Sequence, residues 1–311
     1  MEKGKKRVAV LVGCNYPNTH YELHGCVNDV IAMRDVLVNR FGFDPSHVTL
    51  LTDAPGSIFL PTGANIKAAL EIMVQKAEAG DVLFFHYSGH GTILPPLEPG
   101  QDEVVALIPS DYNLITDIDL RDLVNKLPKG ASFTIISDSS HSGGLIDKEK
   151  KQIGPSTIKN TPSSSISYRA KTIPFQSILD HLTSLTSINT SDIATHLLQL
   201  FAADASLKFR RPQIESESLK SDEGILLSGC EPYETSAEIN EIEGGGKAYG
   251  AFSNAVQMVL KDNKGGSSNK EVVLMARKIL EAQGIEQHPC LYCSDGNADA
   301  IFLWQHPDES D

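Results

Sequence analysis

Ser132-Phe-Thr-Ile-Ile-Ser137 runs directly into Asp138-Ser139-Ser140-His141-Ser142-Gly143-Gly144, and the change of character between these segments indicates the class of fold. An apolar run rich in β-branched residues breaks into small polar residues and a glycine pair. Such a break is typical of a buried parallel strand that ends at the C-terminal edge of an α/β sheet. The run Asp81–Tyr87 ends in the same way, and His90 follows it between two glycines. Two such strands side by side place His90 next to the 138–144 turn.

A histidine that faces a nucleophile-bearing turn is the arrangement of covalent hydrolysis, and Ser140 stands where the nucleophile is expected. A working serine hydrolase is disfavoured because the chain has no Gly-x-Ser-x-Gly elbow and no evident carboxylate to orient the histidine. A nucleotide-binding protein is also disfavoured, since neither Gly-x-Gly-x-x-Gly nor a P-loop follows any predicted strand.

Alternating strand and helix patterns predict an α/β fold, with a mostly parallel sheet and helices on both faces. The expected strands are Arg7–Cys14, Val48–Asp53, Asp81–Tyr87, Val104–Pro109, Ser132–Ser137, Gly224–Cys230, Cys290–Cys293 and Ala300–Trp304. Turn-forming residues dominate the segment from Lys148 to Thr172 and indicate a linker. We therefore divide the chain into a large subregion (1–147), a linker with two helices (148–223) and a small subregion (224–311) that completes the same sheet.

Composition excludes several classes of protein. The net charge of −13 and pI of about 5.2 disfavour a basic nucleic-acid-binding surface. Five cysteines in 311 residues do not form the pattern of a disulfide framework. No signal peptide and no long apolar run are evident, so we expect a cytoplasmic protein without membrane contact.

Several motifs resemble those of metacaspases, which are caspase-like cysteine endopeptidases. Tyr87-Ser88-Gly89-His90-Gly91 together with Asp138-Ser139-X-His141-Ser142-Gly143-Gly144 carries the resemblance. The plant type II branch is matched further by Gly25–Asp29, Asn113–Asp117, Gly229-Cys230, Glu234–Ala237 and Gly250–Ser253, over nearly the whole chain. The chain is most similar to the calcium-independent subgroup of that branch.

The resemblance implies a caspase-like fold with a six-stranded core. It also implies a monomeric zymogen that cleaves peptides or proteins after arginine or lysine, processes itself in the linker, can be bound by protein inhibitors and takes part in programmed cell death. By the same resemblance, His90 is the general base and acid, and the backbone N–H groups of Gly91 and Ser140 form the oxyanion hole. The residues matching the family's P1 pocket are Cys26, Asp29, Ser88 and Asp138.

The chain departs from the family at Ser140, where the catalytic cysteine is expected. A serine hydroxyl is far less acidic than a thiol and needs a base held by a buried carboxylate. We therefore expect the chain to be nearly or fully inactive. Two interpretations stay open: Ser140 is an engineered change that traps an intact precursor, or the chain is a natural pseudoprotease that binds basic peptides as a regulator or decoy.

The charged side chains lead us to two further predictions, one about self-cleavage and one about calcium. A pocket with two carboxylates suits a desolvated basic P1 side chain, so Arg169 is our first choice for self-cleavage and Lys171 the second. Carboxylates are calcium ligands, and the weak candidates are Asp102, Asp117 and Asp119. Because the family's run of three aspartates is reduced to Asp117-Ile118-Asp119, we expect no cofactor and no calcium dependence.

Overall fold

A computed structural model describes residues 5–146, 149–154, 166–212, 224–262 and 266–303. The strands are β1 (Arg7–Gly13), β2 (Val48–Thr52), β3 (Val82–Ser88), β4 (Gly91–Leu94), β5 (Val104–Leu107), β6 (Ile115–Thr116), β7 (Ser132–Asp138), β8 (Lys151–Ile153), β9 (Tyr168–Ala170), β10 (Gly224–Ser228), β11 (Ala237–Ile239), β12 (Tyr249–Gly250) and β13 (Cys290–Tyr292). The helices are α1 (Cys26–Phe41), α2 (Gly63–Gln75), α3 (Asp117–Asn125), α4 (Phe175–Thr186), α5 (Ile193–Phe201), α6 (Leu207–Arg210), α7 (Ala251–Asp262), α8 (Asn269–Ala282) and α9 (Asp295–Asp299).

The central sheet has seven strands in the order β2-β1-β3-β7-β10-β13-β8. The pairs from β2 to β10 are parallel, and β13 and β8 add antiparallel strands at one edge. Every residue of β3 is buried, because apolar clusters cover both faces of the sheet. One cluster includes residues of α2 and α3, and the other includes residues of α1, α7 and α8. The predicted α/β class with a mostly parallel sheet is confirmed.

The register of the parallel strands brings three segments to one edge of the sheet. Ser88, the last residue of β3, is aligned with Gly13 on β1 and with Asp138 on β7. The loop after β1 leads into α1, whose first turn contains Asp29. Since the C-terminal ends of parallel strands meet at the same edge, the residues that follow β1, β3 and β7 converge there.

Three strand predictions were wrong in part. The core sheet has seven strands rather than six, because β8 from the predicted linker pairs with β13. The strand expected at Val104–Pro109 is β5, and it belongs to a separate antiparallel sheet with β4 and β6. The strand expected at Ala300–Trp304 does not form in its described part. There, Ile301 makes one isolated bridge to Ser268, and Phe302 and Leu303 are buried as side-chain anchors.

Part of the predicted linker has regular structure. It contains β8 and β9, followed by α4 and α5, whereas residues 155–165 and 213–223 lie outside the described ranges. All five cysteines are unpaired and buried. Among the described residues, no helix has the length and apolar character needed to cross a membrane.

Candidate active site

The turn after β7 is held in an uncommon backbone conformation. His141 has φ 64°, the left-handed region that few side chains adopt without support from their surroundings. Its backbone N–H donates to Glu234 O at 3.0 Å, and its ring Nδ1 lies 3.0 Å from Pro232 O. Directly before it, the fully buried Ser140 hydroxyl accepts a hydrogen bond from the Ser236 N–H at 2.9 Å. The segment after β10 therefore positions the residues that follow β7.

His90 has a defined tautomer. Its Nε2 lies 2.7 Å from Tyr21 O, and because a carbonyl oxygen only accepts, Nε2 carries the proton. Nδ1 then has a free lone pair, and this buried atom has no hydrogen-bond partner among the described residues. Burial lowers the pKa of His90 to about 4, so the ring is neutral near neutral pH. A neutral histidine with an open Nδ1 is able to accept a proton from a neighbouring nucleophile.

Two buried aspartates from different elements line a pocket beneath the turn. Asp29 from α1 accepts a hydrogen bond from the Ser88 hydroxyl at 2.7 Å and from the Gly250 N–H at 2.9 Å. Asp138 accepts from the Ser236 hydroxyl at 2.6 Å and, on its other oxygen, from the Ser253 N–H at 2.8 Å. A side chain on Gly250 would overlap both carboxylates, so this pocket requires glycine there.

Lys171 fills this pocket with its ammonium group. Its Nζ lies 3.0 Å from Asp138 Oδ1 and donates to the Ser88 hydroxyl at 2.8 Å. The side chains of Lys171 and Asp138 are both completely buried. A buried ammonium is tolerated only when it is paired and hydrogen-bonded, and both conditions are met here. The pocket is thus matched in charge and in hydrogen-bonding geometry to a basic side chain.

The three charged groups shift one another's pKa values. Burial raises the pKa of Asp29 to about 7, against the opposing effect of Lys171. Burial alone would also raise the pKa of Asp138, but Lys171 and the hydrogen bonds from Ser236 and Ser253 outweigh it and lower the pKa. For Lys171, burial is likewise outweighed by Asp138, which leads the groups that raise the pKa of the ammonium. The pocket therefore holds an ionised Asp138–Lys171 pair beside an Asp29 that titrates near neutrality.

Cys26 is the remaining residue of the predicted pocket. It is fully buried at the start of α1, and Lys171 is among the charged groups near its thiol. Burial raises the pKa of Cys26 well above its usual value, although Lys171 opposes the shift. Cys26 is therefore a protonated thiol, which packs as a small apolar group.

The carbonyl oxygen of Lys171 is held by two converging N–H groups. It accepts from Gly91 N at 3.1 Å and from Ser140 N at 3.2 Å. A side chain on Gly91 would overlap the Ser140 carbonyl oxygen, so glycine permits this close approach. Two backbone donors on one carbonyl oxygen form the arrangement that stabilises the oxyanion of acyl transfer.

The residues before Lys171 form an added strand, β9. We use the term cleft for the groove that β9 and Lys171 occupy, which includes the acidic pocket and the Gly91 and Ser140 N–H groups. β9 pairs antiparallel with β11, which aligns Arg169 with Glu238 and Ala170 with Ala237. The Lys171 N–H then donates to Ser236 O at 2.8 Å. Strand addition of this kind is a common way to bind an extended peptide. Residues 168–171 of the chain therefore occupy their own cleft as a bound peptide would.

Arg169 and Lys171 have different environments. Arg169 is exposed, and its guanidinium donates to Glu22 O at 2.9 Å at the rim of the cleft. Lys171 has both its side chain in the acidic pocket and its carbonyl on the N–H pair. Our preference for Arg169 over Lys171 is therefore opposed by the geometry, because only one residue of an extended strand reaches the pocket and the N–H pair together.

Two of the acidic residues considered for calcium, Asp117 and Asp119, already have partners within the protein. Asp119 accepts from Thr116 N and from Leu207 N, both at 2.9 Å. Asp117 pairs with Arg121 one turn along α3. Within the described ranges, the group of His, Cys, Asp and Glu atoms close enough to share an ion includes neither of these residues, nor Asp102.

Several groups in the site are invisible to sequence patterns. They are backbone atoms of Tyr21 and Gly250, and the hydroxyl or N–H groups of Ser236 and Ser253. A backbone atom carries no sequence signal of its own. The available signals were the Glu234–Ala237 and Gly250–Ser253 motifs, which contain Ser236, Gly250 and Ser253 but not Tyr21.

A family model described as a caspase domain matches residues 6–300, almost the whole described chain. The chain belongs to this caspase-domain family of cysteine peptidases. It is 59% identical to Metacaspase-9 of Arabidopsis thaliana, in an alignment that covers 97% of this chain and 98% of that protein. Metacaspase-6 of the same plant is 38% identical, with coverages of 95% and 99%. The predicted metacaspase family is confirmed.

Solved structures support the fold of this caspase-domain protein. A protein from Geobacter sulfurreducens superposes with a TM-score of 0.64 at 19% identity, covering 95% of this chain and 97% of the other. Caspase-1 from Spodoptera frugiperda superposes with a TM-score of 0.52 at 11% identity, covering 93% and 86%. At such low identities the similarity is one of fold, and it confirms the predicted caspase-like class.

Proposed function

We propose that this metacaspase is an endopeptidase scaffold that cuts after lysine or arginine and that its own linker occupies the cleft as the first substrate. The observation that carries the proposal is Lys171, whose ammonium pairs with Asp138 while its carbonyl oxygen faces the Gly91 and Ser140 N–H groups. The bond to be cut is Lys171–Thr172. Arginine suits the same pocket, because its guanidinium also pairs with carboxylates.

A cysteine at position 140 would complete the reaction. His90 Nδ1 takes the thiol proton, and the sulfur attacks the Lys171 carbonyl carbon while the two N–H groups stabilise the oxyanion. The C–N bond then breaks, and His90 returns the proton to the departing Thr172 amine. His90 then takes a proton from water, and the hydroxide adds to the thioester carbonyl. The C–S bond breaks, the Lys171 carboxylate leaves, and His90 returns the proton to the sulfur.

Ser140 makes the chain as given inactive in this proposal. A serine needs a histidine base that a buried carboxylate orients and whose protonated form the carboxylate stabilises, as in Ser-His-Asp triads. Here His90 Nε2 donates to Tyr21 O, a neutral carbonyl, and this partner cannot stabilise an imidazolium as a carboxylate does. Loss of a nucleophile costs up to about 10⁶-fold in rate in a comparable hydrolase.

The second candidate is a pseudoprotease that binds basic peptides as a regulator or decoy. The buried acidic pocket around Lys171 favours it, since binding of a basic side chain needs no nucleophile. The two candidates differ in whether His90 and the Gly91 and Ser140 N–H groups still support catalysis once a cysteine stands at position 140.

The experiment compares the chain with its Ser140→Cys variant, alone and combined with His90→Gln. We expect only Ser140→Cys to cut itself between Lys171 and Thr172, read by intact mass, and to hydrolyse peptides with lysine or arginine at P1. Both reactions should proceed in a calcium chelator, because Asp117 and Asp119 already have local partners. Turnover by the serine form would contradict our account of the site.

The decoy candidate is tested with Lys171→Gln in the Ser140 chain. Without the Lys171 ammonium, Asp138 has no cationic partner in the pocket. A peptide with a basic P1 residue should therefore bind there. If Ser140→Cys fails to turn over while this variant binds the peptide, the pseudoprotease takes the place of the protease.

A further inference from the structure

Glu231, Glu234 and His288 form a cluster outside the cleft. Glu231 and Glu234 follow β10, and His288 precedes β13, and these strands are antiparallel neighbours with Ser228 opposite Cys290. One ligand atom from each of the three residues lies within 4.8 Å of the others. We propose that this cluster, the Glu-Glu-His site, binds a divalent transition-metal ion of the zinc class.

The ligands are oriented before any ion binds. Glu234 Oε2 accepts from Glu231 N at 3.1 Å and from His288 N at 2.9 Å, and this fixes the carboxylate. The other oxygen, Oε1, lies 2.7 Å from His288 Nδ1, and Glu231 Oε1 lies 3.8 Å from the same nitrogen. Zinc binds such ligands at about 2.0–2.2 Å in tetrahedral geometry, which separates them by roughly 3.3 Å. The observed spacings bracket that separation.

The ligand types select the class of metal. One imidazole with two carboxylates suits zinc and neighbouring transition metals, whereas calcium takes six or more oxygen ligands and magnesium an octahedral oxygen set. The exposed fractions of the side chains are 24% for Glu231, 18% for Glu234 and 32% for His288, so an ion can enter from solvent. Three protein ligands leave a fourth position for water.

Tyr292 supplies an independent observation. Its side chain is 3% exposed, and its hydroxyl makes no hydrogen bond within the described ranges. The hydroxyl lies near Pro232, the residue after Glu231, since a Cβ on Gly143 would come within 2.9 Å of both. A buried hydroxyl without a partner calls for an explanation. A water molecule held by the ion would be able to donate to this hydroxyl oxygen.

The Glu-Glu-His site is connected to the turn that holds Ser140. The segment 231–236 supplies two of the ligands, and its Glu234 O accepts from the His141 N–H. Its Ser236 N–H donates to the Ser140 hydroxyl. An ion that ties this segment to His288 therefore restrains the backbone around position 140. The ion has a structural role here and takes no part in peptide hydrolysis.

The test uses the Ser140 chain, stripped with a chelator and titrated with Zn²⁺ by calorimetry and with Co²⁺ by its visible absorption. We expect one equivalent per chain, a tetrahedral cobalt spectrum and a higher melting temperature with Zn²⁺. His288→Gln and Glu231→Gln should weaken binding by at least about 10-fold and abolish the thermal shift.

The matched control is His24→Gln. His24 lies 3.8 Å from Glu22 on the surface but belongs to no described three-residue group, so this variant should bind as the parent does. Glu231→Gln is a second variant in case His288→Gln misfolds. It removes one ligand charge but keeps the hydrogen bonds from the backbone N–H groups to Glu234. Absence of one-to-one binding, or equal affinity in all variants, would overturn the proposal. No readout depends on proteolysis, so the result is independent of the proposed activity.

Discussion

Asp29 and Asp138 beneath the cleft contrast with Asp117 and Asp119 at the start of α3. The partners of the α3 pair are the helix-capping N–H of Thr116, the N–H of Leu207 and the side chain of Arg121 one turn away. The cleft pair comes from α1 and β7 and is buried, and its Asp138 pairs with the ammonium of Lys171 from a third segment. Similar acidic side chains therefore have different roles. The cleft pair lies beside a buried ammonium, whereas the α3 pair is engaged by backbone N–H groups and an arginine side chain.

The largest expected effect concerns the occupant of the cleft pocket. In the Ser140→Cys background, Lys171→Gln should reduce self-cleavage on the order of 10⁴-fold, because the buried acidic pocket rejects a side chain that cannot pair with it. The exposed Arg169 is the control, and Arg169→Gln should slow the cut only a few-fold. Mass analysis of the fragments over time measures both. A cut that moves to residue 169 would assign the pocket to Arg169 instead.

The next effect concerns the pairing of the buried charges. Asp138→Asn should lower the free energy of unfolding by about 3–5 kcal/mol, since it leaves the Lys171 ammonium without its counter-ion. Asp29→Asn should cost less at pH 6, because the pKa of Asp29 is about 7 and its carboxyl is already largely protonated. Urea denaturation of both variants measures the difference. Equal losses would show that the two carboxylates share the ammonium evenly.

The third effect concerns the pH dependence of the unfolding free energy and arises from His86, which lies beneath the cleft beside Asp138. Burial lowers the pKa of His86, a fully buried neighbour of Asp138, from 6.5 to about 3. Between pH 6.5 and about 3, His86 is protonated in the unfolded state but neutral in the folded state. Lowering the pH therefore lowers the free energy of unfolding. The unfolding free energy of the parent should fall more steeply than that of His86→Gln by about 1.4 kcal/mol per pH unit between about pH 6 and 4. Parallel pH profiles would refute this.

The smallest expected effect concerns α3. Asp119→Asn should cost about 1 kcal/mol, because one of two N–H acceptors is lost at the helix start. Asp122, on the same helix and paired with Lys126, is more exposed, and Asp122→Asn should change stability by less than about 0.5 kcal/mol. Thermal melts with and without calcium check both variants. A calcium-dependent shift in the parent would mean that α3 and the cleft differ less than we infer.

Much of the architecture could be predicted from the chain alone. The runs that became β1, β3, β7 and β10 are apolar and bounded by turn residues, and burial on both faces produces that pattern. His90 and the 138–144 turn were found because glycine and small polar residues interrupt these runs. The prediction failed in the described part of its last strand, 300–303, where Phe302 and Leu303 are buried although no strand forms. Burial alone does not distinguish a strand from an anchored loop.

The sequence by itself determined the fold class, the metacaspase family and the strand ends at which the cleft residues lie, because local periodicity and glycine placement encode these features. Only the tertiary structure decided which of Arg169 and Lys171 lies in the acidic pocket, since both are basic and two residues apart. That choice depends on which carbonyl reaches the Gly91 and Ser140 N–H groups and which side chain reaches Asp138. These distances join segments far apart in the chain, and no local pattern contains them.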